Sequence, residues 1–172
     1  MISRFLTRQP GKGRKKRLVS DPQRRKLYYM ERHFDGMTIK HHAERQHLLD
    51  IRDHVCKYYG LEPIKLYIVD RKPPEEGHDD LGWTTTTYED ESCALYLNRA
   101  WYGDNAQTLL HELAHYVTDS HYEDHQTHGG QFCAIYMHLL DKYKMLPSDA
   151  FRVLAKRFGV RIAHRFRPSA IR

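Results

Sequence analysis

His111-Glu112-Leu113-Ala114-His115 is the stretch on which this sequence turns. At about 100° per residue, two imidazoles four apart lie about 40° from each other on a helix and can share one metal ion. Around them Ala106, Leu109, Leu110, Leu113, Ala114 and Val117 form an i, i+3, i+4, i+7, i+8, i+11 stripe, which predicts an amphipathic helix over about 105–118. His111 and His115 sit about 150° from the centre of that stripe. The stripe docks the helix, and the two imidazoles face elsewhere together. The plainer alternative is a pair of surface histidines, because a bare H-E-x-x-H also arises by chance.

A catalytic zinc site needs three protein ligands and an open position. Candidates for the third are His121, Glu123, Asp124, His125 and His128. His128 is favoured. It precedes Gly129-Gly130 and opens the next apolar-periodic segment (Phe132, Ile135, Tyr136, Leu139, Leu140, Tyr143), and the glycines would let the chain turn close to the metal. His125 is the second choice. Zn2+ at such a site lowers the pKa of a bound water, and Glu112 is placed to act as the general base that takes its proton. Glu112 could otherwise be a plain helix-surface carboxylate. Tyr116, Tyr122, Tyr136 and His138 are candidates to stabilise an oxyanion, and equally packing or surface residues.

Outside the motif, Asp21-Pro22 starts a short helix to about Phe34. A longer helix is expected from about Thr38 to Tyr59, where Leu48, Ile51, Val55 and Tyr58 recur at three and four and Gly60 follows. Strands are expected at 64–69, 83–88 and 93–98, the last two as a hairpin around Glu89–Ser92, with a polar loop at 71–80. Pro147-Ser148-Asp149 opens a final helix closed by Gly159. The order of these elements makes the fold class α+β, with about three strands and the metal site between two helices.

The 172 residues suit one domain. With 40% hydrophobic and 29% charged residues, the composition is that of a globular chain rather than a disordered one. No apolar run approaches the roughly 20 residues that span a bilayer, and the N-terminus lacks the apolar stretch of a secretory signal, though its Arg-rich, acid-poor opening is similar in composition to a mitochondrial transit peptide. Cys56, Cys93 and Cys133 are scattered, with no C-x-x-C pair, which suits a reducing compartment. The protein is expected to be intracellular (cytoplasmic, or nuclear in a eukaryotic host), not secreted, and monomeric.

The net charge of +6 hides a division. Residues 1–32 carry net +9 and 152–172 net +7, around a body of net −10. The expected organisation is a flexible basic arm over 1–20, a domain over 21–160 and a basic tail over 161–172. Arg14, Lys15, Lys16 and Arg17 in the arm, with Arg161 and Arg165, could meet nucleic-acid phosphates. A solvated charged face is the alternative.

H-E-L-A-H followed, after about a dozen residues, by His128-Gly129-Gly130-Gln131-Phe132 resembles the SprT-like (Spartan-type) zinc metallopeptidases. Their third zinc ligand is the histidine of an H-G-x-x-F element, which His128, Gly129 and Phe132 match. The strand Ala94–Asn98 before Thr108-Leu109-Leu110-His111-Glu112 is also similar, and the likeness covers about residues 38–145. It implies a small α+β zincin-like domain, with helices packed on one face of the short sheet, that hydrolyses protein or peptide substrates. Cys93–Asn98 would be the edge strand along which substrate pairs. This chain lacks the cysteines of the C-terminal zinc ribbon that many such proteins carry. The expected function is a zinc-dependent endopeptidase, acting on nucleic-acid-associated proteins if the basic ends bind nucleic acid. Against it stand a nucleic-acid-binding protein with a structural zinc and no proteolysis, and a zincin domain with a non-proteolytic role.

Overall fold

The computed structural model describes residues 21–35, 42–70, 82–86, 93–99, 103–122 and 125–164. The expected basic arm, the 71–80 loop, the 89–92 turn, Glu123, Asp124 and Arg165 lie outside these residues. Among the described residues, five helices and three strands follow in the order α1 (Arg24–Asp35), α2 (Arg45–Tyr59), β1 (Lys65–Val69), β2 (Gly82–Thr86), β3 (Cys93–Asn98), α3 (Ala106–His121), α4 (Gly130–Lys142) and α5 (Ser148–Phe158). Among the described residues no helix is long and apolar enough to cross a membrane.

Helix α2 buries Leu48, Ile51, Val55, Cys56 and Tyr59. It stops at Gly60, whose φ of 68° is left-handed; Leu61 N–H then reaches back to Cys56 O at 2.9 Å, which closes the helix end. The helix starts at Arg45, later than the sequence suggests. Residues 42–44 are instead committed to the approach to α3. Ala43 N–H donates to Asp104 O at 2.9 Å, and His42 pairs with the buried Asp104 carboxylate. A backbone donor used in that way cannot join a helical ladder.

In the sheet, β1 runs parallel to β3 and β2 antiparallel to it, in the order β1-β3-β2. Cys93–Asn98 is therefore not the edge strand expected from the family likeness but lies between two others. Its burial explains the position: Ala94, Leu95, Leu97 and Asn98 are all buried, so neighbouring positions on both faces are covered, as in an interior strand.

Helix α3 is the axis of the molecule. Asn105 caps it, its side chain accepting from Thr108 N–H at 2.9 Å, and it continues to His121, past the expected end at Thr118. It packs against α2, α4, β2 and β3. Both its apolar stripe and the face bearing His111, Glu112 and His115 are consequently buried. Helix α1 packs on α5, and α5 on α4. Leu27, Met30 and Phe34 place α1 in the common core.

The chain beyond α5 stays on the body. Gly159 (φ 66°) turns it, and Ala163 N–H donates to Gly130 O at 2.9 Å. A Cβ on Gly130 would stand 3.1 Å from Ala163 N, and one on Gly129 3.0 Å from Gln126. Gly129 closes the turn that carries His128, its N–H donating to Gln126 O at 2.8 Å, as the sequence suggests, while Gly130 permits close approach of the chain beyond α5.

Candidate metal centre

The i, i+4 spacing on α3 presents His111 and His115 together, and packing of α4 on α3 brings His128 to them from the residue before its N-cap. Ring centroids are 5.0 Å apart for His111–His115, 4.7 Å for His115–His128 and 5.5 Å for His111–His128. One nitrogen from each ring lies within 4.8 Å of the others. Phe132, fully buried, backs all three rings at centroid distances of 5.1, 4.3 and 5.1 Å. Tyr136 lies behind His111 at 5.3 Å.

Two of the rings are held from α1 and the residues just before it. His128 Nδ1 meets an Asp21 carboxylate oxygen at 2.5 Å, and His111 Nδ1 meets Glu31 at 2.7 Å. An ionised carboxylate only accepts, so Nδ1 is the donor in each pair and Nε2 keeps its lone pair. His128 Nε2 is buried without a hydrogen-bond partner, an expense that folded proteins rarely tolerate without a use. Such nitrogens in a three-imidazole set fit Zn2+ or a similar borderline metal.

Burial pushes His115 well below the ordinary histidine range, and His111 and His128 beside it push the same way. Burial, then His111, lowers His128 too, against the opposing pull of Asp21. Both are thereby favoured in the neutral form that binds metal. Cys133 lies behind His128, but burial pushes its thiol up to about 12, so it carries no thiolate at neutral pH.

Glu112 is 7% exposed. Tyr28 of α1 stands at the rim, 36% exposed, with its ring 6.0 Å from that of His111 and 5.4 Å from that of His128. Burial pushes its phenol up; Arg24 opposes this, and the Glu31 and Glu112 carboxylates add to the rise.

His125 is not part of the group. Its Nε2 pairs with Asp119 at 2.6 Å and its Nδ1 with Tyr122 O at 2.8 Å. His121 turns to Tyr59 O at 3.2 Å. Of the oxyanion candidates, Tyr136 packs its ring against that of His111. Tyr116 donates to Glu62 O at 3.0 Å, His138 stacks on Tyr58 and Tyr122 packs on the core. Arg161 is exposed, with its guanidinium 3.4 Å from the Gln126 side chain.

Sequence reasoning missed Asp21, Gln23, Tyr28 and Glu31. A signal was present: Asp21 and Glu31 are the two acids among eleven basic residues of 1–32. The chain matches no family model, no curated protein and no solved structure, so the reading of this centre rests on its own residues.

Proposed function

We propose that the protein is a zinc-dependent endopeptidase of the SprT-like type, with His111, His115 and His128 as the metal ligands and Glu112 as the general base. The observation that carries the proposal is the convergence of three buried imidazoles within 4.8 Å around an orphaned His128 Nε2, with a buried glutamate on the same helix. Zn2+ bound there would polarise a peptide carbonyl and acidify water. Glu112 takes a proton from the attacking water as its oxygen adds to the carbonyl carbon. It returns that proton to the amide nitrogen as the C–N bond breaks. Phe132 closes the centre from behind and keeps bulk water from the ligand rings. With β3 interior, we assign substrate pairing by strand addition to the outer side of β2, the edge strand that packs on α3; no described strand occupies that side.

A closed structural zinc would need a fourth protein ligand, and His125, the nearest candidate in sequence, has both ring nitrogens engaged elsewhere. Incubating the zinc-loaded protein with an unfolded protein substrate tests the proposal. Cleavage should occur, and Glu112→Gln should reduce it by about 10²–10⁴-fold with zinc retained. Cleavage that survives the substitution, or never occurs in the zinc-loaded wild type, refutes the peptidase reading.

A further inference from the structure

We infer that Asp21 and Glu31 are positioning residues for the metal, so that metal affinity depends on a segment that contributes no ligand. The inference rests on the three-histidine metal site proposed above, not on proteolysis.

The geometry is specific. Each carboxylate takes the Nδ1–H of a different ligand histidine, at 2.5 Å for Asp21–His128 and 2.7 Å for Glu31–His111. The side chains of Asp21 and Glu31 are 17% and 12% exposed, so solvent screens these pairs weakly. Each pair fixes the tautomer that aims Nε2 inward and holds the ring against rotation. A carboxylate partner also raises the basicity of the imidazole.

The segment that supplies them is itself locked. Leu27, Met30 and Phe34 anchor α1 in the core. Gln23, two residues after Asp21, donates to His128 O at 2.8 Å. His128 is therefore gripped twice by the same segment, at its ring by Asp21 and at its backbone by Gln23. His115, by contrast, lies against Phe132 at 4.3 Å, tilted by 32°, and is positioned by packing. Three ligands thus have two kinds of support, and the segment from Asp21 through α1 provides the polar kind.

The test is the zinc dissociation constant, measured by competition against a chelating indicator, for wild type, Asp21→Ala, Glu31→Ala and the near-isosteric Asp21→Asn and Glu31→Gln. Asp53→Ala, on the exposed side of α2, is the control. Each alanine variant should bind zinc about 10–100-fold more weakly. The isosteres, which can still accept the hydrogen bond but lack the charge, should fall between. The control should stay within about twofold of wild type, on the ordinary expectation for a distant surface change. Cobalt(II) loaded in place of zinc should show a shifted visible spectrum in the alanine variants. If either alanine variant fails to fold, its isostere carries the test. Zinc affinity within about twofold of wild type, with only the metal-free stability reduced, would make these pairs structural and overturn the inference. A folded wild type that takes up no zinc would overturn both this inference and the metal site beneath it.

Discussion

Replacing Gln23 with alanine should loosen the metal centre without touching a ligand. Gln23 is 3% exposed and joins three parts of the chain. Its amide nitrogen donates to His128 O at 2.8 Å and lies 3.1 Å from Arg161 O, while its carbonyl accepts Arg161 N–H at 2.8 Å. Alanine removes the amide partner of all three backbone groups and leaves the His128 carbonyl only the weak Cys133 S–H donor at 3.8 Å. The His128 carbonyl is buried, and leaving such a group unpaired costs about 1–3 kcal/mol. The Arg161 groups are part-buried, where water can replace the lost partner, so about 0.5–1.5 kcal/mol each applies. The expected loss is about 2–6 kcal/mol, a large share of the roughly 5–15 kcal/mol that keeps a domain folded. Urea unfolding of the metal-free protein, followed by circular dichroism, measures it. Gln23→Glu should not rescue, because it keeps the acceptor for Arg161 N–H but turns a carboxylate oxygen towards two carbonyls. A loss under about 1 kcal/mol, or full rescue by glutamate, would refute the reasoning.

Two further outcomes follow from the same packing. Phe132→Ala removes a fully buried ring that touches all three histidines, and should cost about 3–5 kcal/mol in urea unfolding. The metal-free protein should also lose stability as pH falls below about 6.5, the ordinary histidine value. His115 and His128 are lowered in the folded state, first by burial. Below the unfolded value the unfolded chain then binds more protons than the folded one, so stability rises with pH across this window. Urea midpoints in chelator between pH 7.5 and 5 check this; a midpoint that is flat or rises on acidification contradicts it.

The motif helix and the place of His128 before the next helix could be read in sequence because each depends on local spacing. The i, i+4 pair needs only helical geometry, and the apolar repeat of α4 marks where the chain turns back. The support from α1 could not be read that way. Asp21 lies 107 residues from His128 and Glu31 80 from His111, and Asp21-Pro22 reads locally as a helix start. The structure instead starts α1 at Arg24 and spends the Asp21 side chain on a histidine. The place of β3 was hidden for a similar reason: alternation and apolar runs report which faces are covered, but not which strands lie alongside. Helix α3 shows the limit of a single stripe, since its histidine face became buried only when α4 and α1 were laid over it.

The central claim is tested most directly by metal analysis and X-ray absorption of the zinc-loaded protein. One zinc per chain is predicted, bound by three imidazole nitrogens at about 2.0–2.1 Å with an open fourth position. It should be lost in His128→Ala and kept in His125→Ala. A protein that retains no zinc, or one that binds it with four protein ligands including His125, would contradict the account.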